Sequence, residues 1–184
     1  QDHLLAMAIL TSELSVFFET NGIPWIILAW LSIYVFRPIA TIVHEMGHAL
    51  LARVLTKENV RIRIGAGENI FKFKLMRIEV EISFKKMIHG HTAFNGNILS
   101  KMQTLLVLVS GPLSSIIALA VGILTIYQTK LFTALDAVLV GWICSNLLCF
   151  LRNILPFYLQ GADQKHSKGV PSDGLQIYWL LRKS

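Results

Sequence analysis

The sequence has little charge, few prolines and only two cysteines. Of its 184 residues, 15% are charged and five are proline, whereas 54% are hydrophobic. So small a share of charge excludes a disordered chain and argues against an ordinary water-soluble globule. The cysteines, Cys144 and Cys149, lie five residues apart in one apolar run, a spacing that does not favour a disulfide within a helix. The composition therefore indicates a protein that resides in a lipid bilayer.

Positive charge is absent from the first 36 residues of the chain. Ten Lys or Arg residues fall within residues 53–101 and four more follow Arg152, in a chain of net charge +6. In so apolar a sequence, such an excess is typical of cytoplasmic loops, so no nucleic-acid partner is expected. With three membrane crossings, the N-terminus would lie outside, and both the region between the first two crossings and the C-terminus would face the cytoplasm.

Three apolar stretches come near the length of about 20 residues that a membrane-spanning helix needs. They occupy residues 23–55, 99–127 and 131–157. The first is too long for one perpendicular crossing, and Arg37-Pro38 within it predicts a kink or a break. Gly111-Pro112 in the second stretch predicts a similar irregularity, whose freed backbone groups neighbouring helices or water would satisfy.

Between the first two stretches, apolar and charged residues alternate instead of following a helical period. The alternation runs through residues 60–64, 71–75 and 78–84, and Gly65 and Gly67 mark a turn after the first run. This pattern predicts a small antiparallel sheet with one apolar and one charged face.

The predicted fold is therefore a mainly α membrane protein. It comprises about three transmembrane helices, the first kinked or broken, a small antiparallel β-sheet between the first two, and a short C-terminal helix. Residues 1–184 would form a single domain, within which residues 58–98 are a cytoplasmic β-rich insert. In residues 1–22, Glu13 and Glu19 interrupt the apolar runs, so we expect an interfacial segment there rather than a crossing.

The first apolar stretch carries the sequence His44-Glu45-Met46-Gly47-His48. On a helix, residues four apart project from one face, so both imidazoles can reach one metal ion. Glu45 would then lie beside the site, placed to take a proton from a metal-bound water. The alternative is a satisfied polar patch at a helix end. Three ionisable side chains within a membrane helix are costly unless a metal, water or a partner compensates them, which favours the metal site.

A catalytic zinc site needs a third protein ligand and an open position for water. No glutamate follows Glu81, which argues against a zinc enzyme with a downstream glutamate ligand and leaves four aspartates. Asp2 lies outside the bundle, Asp136 is expected near the opposite membrane face, and Asp163 lies in a polar loop. Asp173 begins the last apolar segment, on the side where the first helix also ends. From spacing alone, a helix cap explains Asp173 equally well.

The chain resembles the site-2 proteases, a family of intramembrane zinc metalloproteases. The resemblance covers about residues 23–177 and rests on an ordered set of motifs: HEMGH followed by Ala49-Leu50-Leu51-Ala52-Arg53, a short strand-rich segment, Gly111-Pro112, Asn153-Ile154-Leu155-Pro156, and Asp173-Gly174. In the family, Asp-Gly commonly follows the Asn-x-x-Pro motif closely, whereas residues 157–172 intervene here.

This resemblance implies roles for five residues. It makes His44, His48 and Asp173 the ligands of one catalytic zinc ion and Glu45 the general base. It also implies that Asn153 lies near the site and helps to hold the substrate or the developing oxyanion. For Asn153, a helix-terminal cap or an interhelical hydrogen bond is the alternative.

The sequence therefore predicts a zinc endopeptidase, integral to the membrane and multi-pass, with its active site toward the cytoplasm. Its expected partners are the lipid bilayer and a transmembrane or membrane-adjacent protein substrate, whose unwound segment an exposed edge of the sheet could hold by strand addition. His89 and His91, which follow the last strand run, are interpreted as residues of an exposed face and not as ligands. The alternative is a non-catalytic membrane scaffold or partner-binding protein with a structural or vestigial zinc site.

Overall fold

The computed structural model describes residues 2–129, 134–159 and 169–182. Within these ranges, the chain forms four α-helices and four β-strands. Helix α1 spans Asp2–Thr56, α2 spans Lys101–Thr129, α3 spans Ala134–Ile154 and α4 spans Asp173–Arg182. The mainly α fold and the short C-terminal helix are therefore confirmed.

Three segments of these helices are long and apolar enough to cross a membrane: Gly22–Thr56, Lys101–Gln128 and Ala134–Ile154. This confirms the predicted number of membrane-capable helices. Helix α1 continues through Pro38, so the first apolar stretch is one helix and not two. Helix α2 likewise continues through Pro112. The first residues of the predicted third stretch, 131–133, lie outside the described residues.

Small residues bring the membrane-capable helices into close contact. The Ser145 hydroxyl on α3 donates to the carbonyl of Ile33 on α1, at 3.1 Å. The Ser114 hydroxyl on α2 lies 3.0 Å from the carbonyl of Val43, also on α1. A Cβ on Gly141 would lie 2.9 Å from backbone atoms of α1, so only glycine permits this approach. In lipid, packing of small residues and interhelical hydrogen bonds hold helices together, because lipid is as apolar as the helix surfaces.

The sheet consists of two long bent strands, β1 (Val60–Leu75) and β2 (Ile78–Ala93). Two pairs of segments are antiparallel: residues 70–75 with 78–83, and residues 61–64 with 90–93. The small sheet with antiparallel pairing is therefore confirmed. Its apolar face, which includes Ile62 and Ile64, packs on Ala49 and Ala52 of α1. Each such fully buried aliphatic side chain contributes about 1.5–3 kcal/mol to stability.

The centre of the sheet also contains a parallel pair that the alternation did not predict. Residues 60–64 run parallel to residues 78–82, between the two antiparallel pairs. Gly65, at φ 80°, lies where β1 bends away from this central pair. Residues 90–93 of β2 then form an edge of the sheet, and their outer side pairs with no other described strand.

The segment after α3 folds back through a second, two-stranded antiparallel pair. Strand β3 (Tyr158–Leu159) pairs with β4 (Val170–Pro171), which leads directly into α4. The backbone N–H of Ser172 donates to the carbonyl of Phe157, at 3.0 Å. This closure carries the start of α4 back to the end of α3.

Candidate metal centre

Three side chains from distant parts of the chain converge on one point. His44 and His48 extend from α1, and Asp173 is the first residue of α4. Asp173 Oδ2 lies 3.0 Å from His44 Nε2 and 3.2 Å from His48 Nε2, and the two Nε2 atoms are 3.2 Å apart. All three residues are buried. The three atoms thus form a nearly equilateral triangle that solvent barely reaches.

The other ring nitrogen of each histidine has a hydrogen-bond partner on α2. His48 Nδ1 lies 2.6 Å from the carbonyl oxygen of Val107, which can only accept, so His48 carries a proton on Nδ1. His44 Nδ1 lies 3.2 Å from Ser115 Oγ. A neutral ring with its proton on Nδ1 presents an unprotonated Nε2, which is the form that binds a metal ion. In that form a cation between the three facing atoms would offset their mutual repulsion, whereas a protonated imidazole would pair with Asp173 directly.

The triangle also has the right size for a tetrahedral metal ion. With ligand bonds of about 2.0–2.1 Å, neighbouring ligand atoms of a tetrahedral zinc ion lie about 3.3 Å apart. The distances of 3.0–3.2 Å found here are close to that value. Two imidazoles and one carboxylate are a donor set of catalytic zinc sites, which keep a fourth position open. His44, His48 and Asp173 could therefore hold a metal ion, and their ligation of zinc stays a prediction.

Ser172 and Gly174 hold Asp173 at the site. The Ser172 hydroxyl donates to the carbonyl of Leu155, at 2.6 Å, and accepts from a backbone N–H in the first turn of α4, at 3.2 Å. Ser172 is therefore the helix cap, and the carboxylate of Asp173 points to the imidazoles instead. A Cβ on Gly174 would overlap the carbonyl of Ile154, so glycine is required where α4 meets α3.

Gly111 makes room for the ring of His48. A Cβ built on Gly111 would overlap the His48 ring, with Cδ2 only 2.7 Å away and Nε2 nearer still. Carbon atoms in ordinary contact are about 3.5–4.0 Å apart. Gly111-Pro112 therefore serves the site through the missing side chain, in a helix that Pro112 does not interrupt.

Glu45 lies next to the triangle, between α1 and the edge segment of β2. It is 7% exposed, and the Thr92 hydroxyl donates to its Oε2 at 2.7 Å. A Cβ on Gly90 would lie 2.5 Å from Oε1, so only glycine lets the strand pass this close to the carboxylate. The structure thus brings Glu45 beside the candidate ligands, as the helical spacing predicts.

A cavity of about 370 Å³ opens beside Glu45 and has Asn153 in its wall. The Asn153 Nδ2 donates to the carbonyl of Cys149, at 2.9 Å. Asn153 therefore lines the cavity beside Glu45 and makes a helical hydrogen bond, and its role toward the substrate stays a prediction. His89 and His91 lie within β2 and not after the last strand, and both line the same cavity.

Of the other three aspartates, two belong to described helices. Asp136 is buried in the first turn of α3, and Asp2 begins α1. Asp163 lies outside the described residues. Among the residues that the structure describes, the cluster that could hold a metal contains Asp173 alone of the four.

Sequence reasoning missed the partners that orient the site. The Thr92 hydroxyl donates to Glu45, Ser115 is hydrogen-bonded to His44, and the carbonyl of Val107 accepts from His48. These contacts involve two hydroxyls and one main-chain oxygen from other elements. No motif or spacing in the sequence indicates them.

The comparisons with known proteins agree with this architecture. A model of the family described as Peptidase M50B-like matches residues 23–162. This match covers most of the chain, including the HEMGH motif and Asn153, and ends before Asp173. The chain therefore belongs to the Peptidase M50B-like family, consistent with the predicted relation to the site-2 proteases. No curated protein and no solved structure matches the chain significantly.

Proposed function

We propose that this chain is a zinc-dependent intramembrane endopeptidase, similar to the site-2 proteases, that cleaves membrane-embedded or membrane-adjacent proteins. The observation that carries the proposal is the convergence of His44 Nε2, His48 Nε2 and Asp173 Oδ2 on one point, with a buried carboxylate beside them. Membership of the Peptidase M50B-like family supports it. So do three helices able to cross a membrane, two of which, α1 and α2, contribute residues around the triangle.

The chemistry divides between the metal and this chain's own residues. Zinc would supply Lewis acidity, which polarises the scissile carbonyl and lowers the pKa of a water molecule toward about 7. Glu45 would accept a proton from the attacking water and transfer it to the leaving amine. Because Thr92 holds Oε2, Oε1 is the oxygen that moves the proton. Asn153, in the wall of the adjoining cavity, would bind the substrate or its developing oxyanion.

The substrate must present an extended segment, because a helix keeps its peptide bonds in internal hydrogen bonds. The unpaired outer side of residues 90–93 runs past Glu45 and could hold such a segment by strand addition. His91→Pro should therefore slow cleavage while His91→Ala leaves it nearly unchanged. Equal cleavage by both variants, at equal zinc content, would count against strand addition.

The proposal includes an orientation for the protein. The excess of Lys and Arg in the sheet region supports a cytoplasmic position for residues 58–98, with the site near that face of the bilayer. The chain acts as one domain, with residues 1–22 as an interfacial segment. Protease protection of the sheet in sealed vesicles of known orientation tests this arrangement.

The activity is tested with the full chain in detergent and a labelled single-span model peptide that carries a helix-breaking segment. Glu45→Gln should keep zinc and lose cleavage by at least about a hundredfold, because general acid–base catalysis contributes that much or more. Glu79→Gln is the matched control, since Glu79 pairs with Arg61 on the exposed face of the sheet. Unchanged cleavage in Glu45→Gln would refute the assigned role and favour a scaffold with a structural metal.

A further inference from the structure

The cavity beside Glu45 carries an excess of positive charge. Arginines from three different elements line it: Arg37 of α1, Arg63 of β1 and Arg152 of α3. Glu45 is the only carboxylate among its described lining residues, and Thr92 already donates to it. Three guanidinium groups around one small concave space attract an anion.

Arg152 is held in place without losing its charge. Its Nη1 donates to the carbonyl of Ile88 at 2.6 Å, and its Nη2 donates to Nδ1 of His89 at 3.0 Å. Burial, together with the nearby charges of Arg152 and Lys86, lowers the pKa of His89. His89 is therefore neutral near pH 7 and accepts the hydrogen bond. Both partners are uncharged, and no residue that the structure describes forms an ion pair with this guanidinium in the cavity wall.

Arg37 is a second cation without an ion-pair partner among the described residues. It lies within a helix able to cross the membrane. It is half-buried, about two turns before His44 on α1. Its guanidinium forms no hydrogen bond or ion pair with any residue that the structure describes. An arginine within a membrane-spanning segment is costly and marks a functional position by default.

The position of the cavity favours a substrate side chain over a lipid headgroup. Its wall includes Glu45 on one side and Gly90 of the edge segment on another, so an occupant lies beside the proposed general base. A volume of about 370 Å³ suits one or two side chains. The planar fork of arginine matches the geometry of a carboxylate.

We propose that Arg37 and Arg152 form a subsite for an acidic side chain of the polypeptide substrate, close to its scissile bond. The subsite rests on the proposed endopeptidase function, because it assigns the occupant of the cavity to the substrate. It gives the enzyme a preference for Glu or Asp at one position near the cleavage site.

The test measures binding separately from cleavage. The full chain carrying Glu45→Gln, in detergent micelles, is titrated with fluorescently labelled single-span peptides that have an Asn-Gly segment in the helix. The peptides form pairs with Glu or Gln at one position, scanned across the six residues on each side of that segment. At one position, the Glu peptide should bind about tenfold more tightly than its Gln partner, and the preference should weaken with salt.

Variants then assign the preference to the subsite. Arg37→Gln should reduce it to less than about twofold, and Arg37→Lys should keep only part of it, because lysine retains the charge and lacks the planar fork. Arg61→Gln is the control, because Arg61 pairs with Glu79 on the sheet surface and does not line the cavity. Arg152→Gln should also reduce the preference. Arg152→Gln also removes the hydrogen bond to the carbonyl of Ile88. Arg37→Gln breaks no such hydrogen bond, so it is the decisive variant.

The outcomes separate the subsite from the activity. Absence of a Glu preference at every scanned position, or a preference that survives both Arg37→Gln and Arg152→Gln, overturns the subsite even if the wild-type chain cleaves the peptides. A Glu preference lost in Arg37→Gln supports the subsite even if no peptide is cleaved, in which case the endopeptidase proposal fails alone. Binding of phosphatidylglycerol that depends on Arg37, without any Glu preference, assigns the cavity to lipid and overturns the proposal.

Discussion

Gly111→Ala, which adds a single methyl group, should strongly weaken zinc binding. The added Cβ would overlap the His48 ring, whose Cδ2 would be 2.7 Å away. Restoring an ordinary contact of about 3.5–4.0 Å requires a shift of roughly 1 Å in the ring or the helices. Metal ligands must be held within about 0.5 Å of their working geometry. We therefore expect zinc affinity to fall by at least about a hundredfold, together with a loss of about 1–3 kcal/mol of stability from overpacking.

Gly122→Ala is the matched control for this prediction. It makes the same change on the same helix, about 16 Å from Gly111 along the axis. Its Cβ would lie 2.8 Å from Ile143 Cγ1 and from Trp142 Cδ1, so it overpacks the interface of α2 and α3 instead. Competition with a chromophoric zinc chelator gives the affinity, and thermal unfolding in detergent gives the stability. Equal zinc affinity in the two variants would refute the claim that the missing side chain of Gly111 makes room for a metal-binding His48.

Substitutions at three other residues test contacts around the site and the sheet. Thr92→Val should lower cleavage by about tenfold to a hundredfold at unchanged zinc content, and Thr92→Ser should restore it. Equal loss of cleavage in both variants would contradict the role of the Thr92 hydroxyl in holding Glu45. Ser115→Ala should weaken zinc binding by about tenfold to a hundredfold in equilibrium dialysis, and undiminished affinity would exclude it as an orienting partner. The hydrogen bond from Lys72, at 2.7 Å, lowers the pKa of Glu81 below its ordinary 4.5. This pair therefore stabilises the fold above about pH 4.5, and the stabilisation is lost as the pH falls through the lowered pKa. The Tm of the wild-type chain should therefore fall more than that of Lys72→Gln between about pH 5 and pH 3, and parallel Tm curves would contradict the pairing.

The helical half of the candidate centre could be predicted from sequence because its spacing is local. His44, Glu45 and His48 lie within about one turn, and any helix places positions four apart on one face. Helical spacing could not predict that Asp173 joins the two histidines. Its approach depends on the pairing of β3 with β4, the cap at Ser172 and the close contact of Gly174, none of which has a periodic signature.

The sheet shows a similar division. Alternation identified residues 60–64, 71–75 and 78–84 and their apolar face, because period two is a property of each strand by itself, but it missed the continuation of β2 through residues 85–93. The parallel pairing of residues 60–64 with 78–82 requires both strands to bend, at Gly65 and near Lys86, which has φ 51°. Alternation does not specify which strands become neighbours. The hydrophobic stretches, in contrast, predicted the membrane-capable helices well, because length and apolarity are enough to define them.

The most direct test of the account is the zinc content of the purified chain in detergent, measured by mass spectrometry of the metal beside the Asp173→Ala variant. The triangle of His44, His48 and Asp173 predicts one zinc ion per wild-type chain and little zinc in the variant. A wild-type chain without zinc would contradict the metal centre itself. Full zinc occupancy in Asp173→Ala would contradict the assignment of its third ligand.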